Sequence, residues 1–160
     1  MAGELPEDYV GRLARAKAEV AWHTIADAEL VRPVLAADTA VVIDNRILGK
    51  PRDQEDGLSM LHELSGRCHL VLTAVAVVSN CGRIDMALSR SEVCFRVVSE
   101  MESLAYWRCG ESVDKAGAYA IQGHAAAMIS SINGSYSGVM GLPLYETAQL
   151  LTAAGIKLFV

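Results

Sequence analysis

The sequence contains no CxxC pair, no Walker-type phosphate motif, no serine-nucleophile elbow and no internal repeat, and each absence removes a class of protein. Cys68, Cys81, Cys94 and Cys109 are spread along the chain, without the spacing of a zinc site or a thioredoxin-like redox motif. They read as ordinary small core or surface residues. His23, His62, His69 and His124 also lack metal-ligand spacing and read as structural. The longest apolar run, around Leu70 to Val78, is far too short to span a bilayer. Met1 to Glu7 is small and acidic, unlike the basic start of a signal peptide, so the cytoplasm is the default compartment. Basic residues are in deficit as well. A formal net charge of -5 argues against a general nucleic-acid coat and leaves room only for a local cluster of cations around a single polyphosphate.

What is present describes one well-cored domain. A chain of 160 residues buries roughly two-thirds of the surface its unfolded form exposes, so it needs neither disulfide nor structural metal to fold. Hydrophobic residues at 52% against charged residues at 21% give the balance of a globular protein, not a disordered one. No linker divides residues 1–160, which form a single domain.

Helix and turn chemistry then outlines the elements. Pro6 with Glu7 and Asp8 starts a helix whose inner face is Val10, Leu13, Ala14 and Ala18. Val34 to Ile43 is a strand, and Asp44-Asn45 turns it onto Arg46, Ile47 and Leu48. Asp53 caps a helix carrying Leu58, Leu61 and Leu64, closed by Gly66. Leu70 to Val78 pairs through Ser79–Gly82 with a strand containing Ile84, Met86 and Leu88. Ser99 and Glu102 have capping-box spacing for a helix ending near Gly110. Ala125 to Ile132 is expected to be a strand, with Asn133-Gly134 as a hairpin turn. Pro143 opens a last helix lined by Leu144, Thr147, Ala148 and Leu151, closed by Gly155, and Ile156 to Val160 is a final strand. The fold class is α/β in the mixed α+β sense: a mixed, twisted β-sheet with helices packed on its faces.

Three stretches place polar groups where apolar ones are expected. Asp38 interrupts a strand of small and apolar residues; it either faces a cleft or metal, or sits on the strand's solvent face. Lys50 and Arg52 precede a helix start, as a solvated loop or an anion site. Asp114 to Gly123 combines Lys115, Gln122 and glycines, able to neutralise a phosphate and to read a base edge through an amide.

Taken together, the motifs resemble the Maf family, the septum-formation inhibitor-like nucleotide pyrophosphatases. The likeness runs through Gly3–Val10 with Arg12–Ala18, Ala37-Asp38-Thr39, Lys50-Pro51-Arg52-Asp53, and Leu64-Ser65-Gly66 with His69 and Thr73–Val75. It continues through Asp114–Tyr119, Ile121-Gln122-Gly123, Ile132–Tyr136 and Gly141–Thr147. The resemblance implies a Maf/ITPase-like architecture and hydrolysis of the α–β phosphoanhydride of a nucleoside triphosphate with Mg²⁺ or Mn²⁺, as part of nucleotide house-cleaning. It implies that Asp38 is the catalytic acid, as proton acceptor for water or as a metal ligand, and that Lys50, Lys115 and Lys17 hold the polyphosphate. Thr39 and Gln122 match positions of substrate choice in their dTTP/UTP form. A homodimer without nucleic-acid or membrane partners is also implied. The family's first strand and Ser-x-Ser-Pro-Arg-Arg loop have no counterpart in the sequence as given, so a domain truncated at its N-terminus is expected. A binding protein without catalysis is the alternative reading.

Overall fold

Proline at the first turn and two carboxylates at the positive end of the helix dipole start α1 (Pro6–Ile25), whose Val10, Ala14 and Ala18 are fully buried. The computed structural model describes residues 3–25 and 32–159. After α1 come β1 (Val34–Ile43), β2 (Arg46–Leu48), α2 (Gln54–Leu64), β3 (Cys68–Val78), β4 (Ile84–Phe95), α3 (Glu100–Arg108), β5 (Ile129–Asn133), α4 (Tyr136–Val139) and α5 (Leu144–Ala153). The five strands form one sheet in the order β2-β1-β3-β4-β5. Helices cover it as expected. The strand directions are more uniform than the mixed sheet expected, every pair among the described residues being antiparallel, because each connection between sheet neighbours leads back alongside.

The sheet separates two cores. On one face α1 lies against Ala40, Val42, Leu72, Ala74, Ala76 and Val78, and alanine on both sides lets helix and sheet approach closely. On the other, Leu61 and Leu64 of α2 and Tyr106 of α3 pack with Val41, Val71, Val93, Phe95 and Tyr119. Burying each leucine stabilises by roughly 2 kcal/mol. Local chemistry fixes the ends. Asp44 and Asn45 take positive φ and bring Ile43 opposite Arg46; Asp53 Oδ1 accepts from Asp56 N at 2.9 Å; Ser99 and Glu102 form a complete capping box. No helix among the described residues is long and apolar enough to cross a membrane.

The C-terminal third departs from expectation. Of the expected strand only 129–132 is extended, within β5; His124–Met128 is a 3₁₀ helix, and its buried residues, Ala125 and Met128, recur at a spacing of three rather than two. Asn133-Gly134 makes no hairpin. Gly134 has φ +136 and passes so close to β4 that a Cβ would sit 2.8 Å from Ser91 Cα, while Ser135 Oγ accepts from Gly138 N and sends the chain into α4. Residues 156–159 form no strand, and Val160 lies outside the described residues. Leu144 is 60% exposed, because the buried side of α5 is centred on Thr147. The cysteines also need correction. Cys68 and Cys94, 26 residues apart, are register partners on β3 and β4 and form a disulfide; Cys81 and Cys109 are free.

Candidate active site

Strand β2 is three residues long and pairs with Val41, Val42 and Ile43, so, among the described residues, 34–40 of β1 have β3 on one side and no strand on the other. A cleft of about 310 Å³ opens along this edge. Asp38 and Thr39 are consecutive and therefore point to opposite faces of the sheet, yet at a free edge both line the same cleft. Lys17, Lys50, Lys115 and Gln122 line it too, so the six site residues that the family resemblance implies meet there. Three ammonium groups face the carboxylates of Asp38 and Asp114, a local cationic surplus on a chain whose net charge is -5.

Each side chain has a structural reason for its place. Asp38 shares the α1 side of the strand with Ala40 and Val42, where Lys17 Nζ donates to its Oδ1 at 2.6 Å and to Ala37 O at 3.3 Å. The Asp38 side chain is only 12% exposed and Lys17 covers it from the solvent side. An acid in an otherwise apolar strand is thus paired and turned to a cleft, the costlier solvent-free burial being avoided. Thr39 stands opposite Thr73 in the register, with 2.9 Å between their hydroxyls. Thr73 donates its one proton to Gly138 O at 2.8 Å, so Thr39 is the donor to Thr73 and offers the cleft acceptor lone pairs only.

The opposite wall is the segment 114–122, pinned at four points. Gly117 N donates to Gly49 O at 3.0 Å, which couples Lys115 to the chain leaving β2 and so to Lys50. Gly117 has φ +68, and a Cβ there would lie 3.0 Å from Val41 Cγ1. Tyr119 OH meets His69 Nε2 at 2.8 Å within an edge-to-face cluster completed by Phe95, and Ala120 N donates to Tyr106 OH at 3.0 Å. Ile121 is buried, leaving the exposed Gln122 beside it on a fixed backbone. Burial holds His69 down at about 4, hence neutral, and pushes the hydroxyls of Tyr119 and Tyr106 up, the latter to about 12. Among the described residues nothing lies within hydrogen-bond distance of the buried His69 Nδ1.

Hard oxygen donors at the cleft suit a hard divalent cation, which takes one or two carboxylates and completes its shell with substrate phosphates and water. Asp38 and Asp114 are the carboxylates that line the cleft. Asp114 was legible in the loop but carried no assigned part; it lies 3.6 Å from Lys50. Val139, Met140 and Gly141 close the cleft as well, and sequence reasoning missed them because the expected hairpin at residues 133–134 hid the turn into α4. Arg52 does not line the cleft. Its guanidinium is engaged by Asp56 at 3.0 and 3.1 Å, inside the first turn of α2.

A family model described as "Maf-like protein" matches residues 2–154. The dTTP/UTP pyrophosphatase of Nitrosomonas europaea is 53% identical over 157 residues, covering 98% of this chain and 75% of that protein. The dTTP/UTP pyrophosphatases of Nitrosospira multiformis and Ralstonia nicotianae are 52% and 50% identical, over 98% and 99% of this chain and 75% and 77% of their own lengths.

Proposed function

The chain belongs to the Maf family, and from that premise we propose that it is a dTTP/UTP pyrophosphatase working through the cleft at the free edge of β1. It hydrolyses the α–β phosphoanhydride of dTTP or UTP to the nucleoside monophosphate and pyrophosphate. The observation that carries the reading is the convergence of Lys17, Asp38, Thr39, Lys50, Lys115 and Gln122 on one cleft from four separate stretches of chain.

Lys50 and Lys115 neutralise the triphosphate, which lies along the open backbone edge. Lys17 holds Asp38 Oδ1 and so orients the carboxylate, with Oδ2 left to take the proton of an attacking water. The water oxygen bonds to the α-phosphorus as the bond from that phosphorus to the bridging oxygen breaks. The electron pair leaves with pyrophosphate, and the proton passes to Asp38. Asp38 and Asp114 would hold Mg²⁺ or Mn²⁺, which neutralises charge on the polyphosphate when bound. Gln122 presents an amide donor and acceptor to the base, and Thr39 accepts from a donor on the nucleoside. The same reading includes a cytoplasmic homodimer, testable by light scattering and fractionation.

The test is pyrophosphate release from a panel of dTTP, UTP, CTP, ATP and GTP with Mn²⁺ and with Mg²⁺. Turnover of dTTP and UTP above the purine nucleotides is expected. Equal rates across the panel, or none, would contradict the reading.

A further inference from the structure

We propose a second cation site, for Zn²⁺ or a similar borderline transition metal, formed by Cys109, Glu111 and His124. The turn after α3 supplies the first two residues, and the start of the 3₁₀ helix at His124–Met128 supplies the third. The ligand atoms of all three lie within 4.8 Å of one another. The Glu111 carboxylate is already fixed, accepting from His124 N at 2.8 Å and facing His124 Nδ1. It fills the space beside Gly123, where a Cβ would lie 2.0 Å from Glu111 Oε2, so glycine at 123 is what admits the carboxylate. Cys109 is exposed and not in a disulfide.

One thiolate, one imidazole and one carboxylate are the donors of a zinc-class ion; Mg²⁺ and Ca²⁺ take oxygen alone. Tetrahedral bonds of about 2.0–2.3 Å place ligand atoms roughly 3.5 Å apart, so small side-chain adjustments within the present span close the site. Three protein ligands on an exposed surface leave the fourth position to water. Binding displaces the Cys109 thiol proton to solvent as the sulfur bonds to the metal. None of the three residues lines the polyphosphate cleft, so the site stands or falls independently of the catalytic reading. His124 follows Gln122 by two residues, and an occupied site would tie the end of α3 to the segment that presents Gln122.

Cobalt(II) titration of the full chain, without nucleotide and with the Cys68–Cys94 disulfide intact, tests the proposal. Expected is thiolate-to-cobalt charge-transfer absorption that saturates with one equivalent of thiolate-bound Co²⁺ and is displaced by Zn²⁺. Cys109→Ser should abolish the absorption, Cys81→Ser should leave it, and His124→Ala or Glu111→Gln should weaken binding by at least about tenfold. Far-UV circular dichroism confirms that each variant is folded before titration. Absence of the charge-transfer band, or its persistence in Cys109→Ser, would overturn the site and leave Glu111 and His124 as an ion pair alone.

Discussion

Replacing Gly117 by alanine tests how the wall of the cleft is held. At φ +68 an L residue meets its own following carbonyl, which costs about 1–2 kcal/mol. The new Cβ would also meet three atoms of the Val41 side chain at 3.0–3.1 Å, and Val41 is itself buried in the sheet core. Overpacking of that kind adds about 1–3 kcal/mol. The backbone has no cheap escape, because Gly117 N is bonded to Gly49 O and Ala118, next along, is already at φ 59. The sum is about 3 kcal/mol, readable as a lower urea midpoint at unchanged slope. Val41→Ala removes the two Cγ contacts and keeps the Cβ contact at 3.1 Å and the backbone part. In a double-mutant cycle the two changes should therefore couple favourably by about 1 kcal/mol. In the same variant Lys115 and Lys50 lose their common anchor, and kcat/KM for dTTP falls. A Gly117→Ala protein within 0.5 kcal/mol of wild type, or strictly additive costs with Val41→Ala, would refute this account of the turn.

Lys50→Met and Lys115→Met should each raise KM for dTTP by about tenfold or more, from the loss of a charge-assisted contact worth about 1.5–3 kcal/mol; steady-state kinetics at fixed ionic strength measures it, and an unchanged KM would exclude that lysine from phosphate binding. His69, held at about 4 in the fold against 6.5 when exposed, binds its proton in the unfolded chain first. Stability is therefore unaffected by His69 above about 6.5 and falls as pH drops through the interval down to about 4, by up to about 3 kcal/mol. Urea unfolding at several pH values should show a shallower slope for His69→Phe in that interval, and an identical slope would contradict a neutral buried imidazole. Reducing Cys68–Cys94 frees a closed segment spanning 26 residues and should lower stability by about 3 kcal/mol, seen as a shift in the urea midpoint with dithiothreitol; no shift would mean that the strand pairing alone holds β3 to β4.

The parts of the molecule that were legible in the sequence are those set by neighbours along the chain. Asp53, Ser99 and Glu102 announce helix starts because their side chains reach only the next turn, and Asp44-Asn45 announces a two-residue hairpin through its own φ preference. Asp38 was visible as an anomaly, but whether it met solvent or a cleft depended on how far β2 extends, which no local pattern gives. Pairings between distant segments were out of reach. Cys68 and Cys94 become partners only through the register of β3 on β4, and His124 joins Cys109 and Glu111 only once the chain after α3 doubles back. Residues 125–128 differ from the expected strand because an Ala-rich 3₁₀ turn and a buried strand share the same apolar composition and differ only in period.

Pyrophosphate release from dTTP by wild type and by Asp38→Asn, with equal protein and saturating Mn²⁺, bears most directly on the central claim. Asparagine keeps the shape of the side chain beside Lys17 and removes its capacity to take a proton. The wild type should turn over, and the variant should lose at least about a hundredfold in kcat with its fold intact. Equal rates in the two proteins would remove Asp38, and with it the cleft at the edge of β1, from the chemistry.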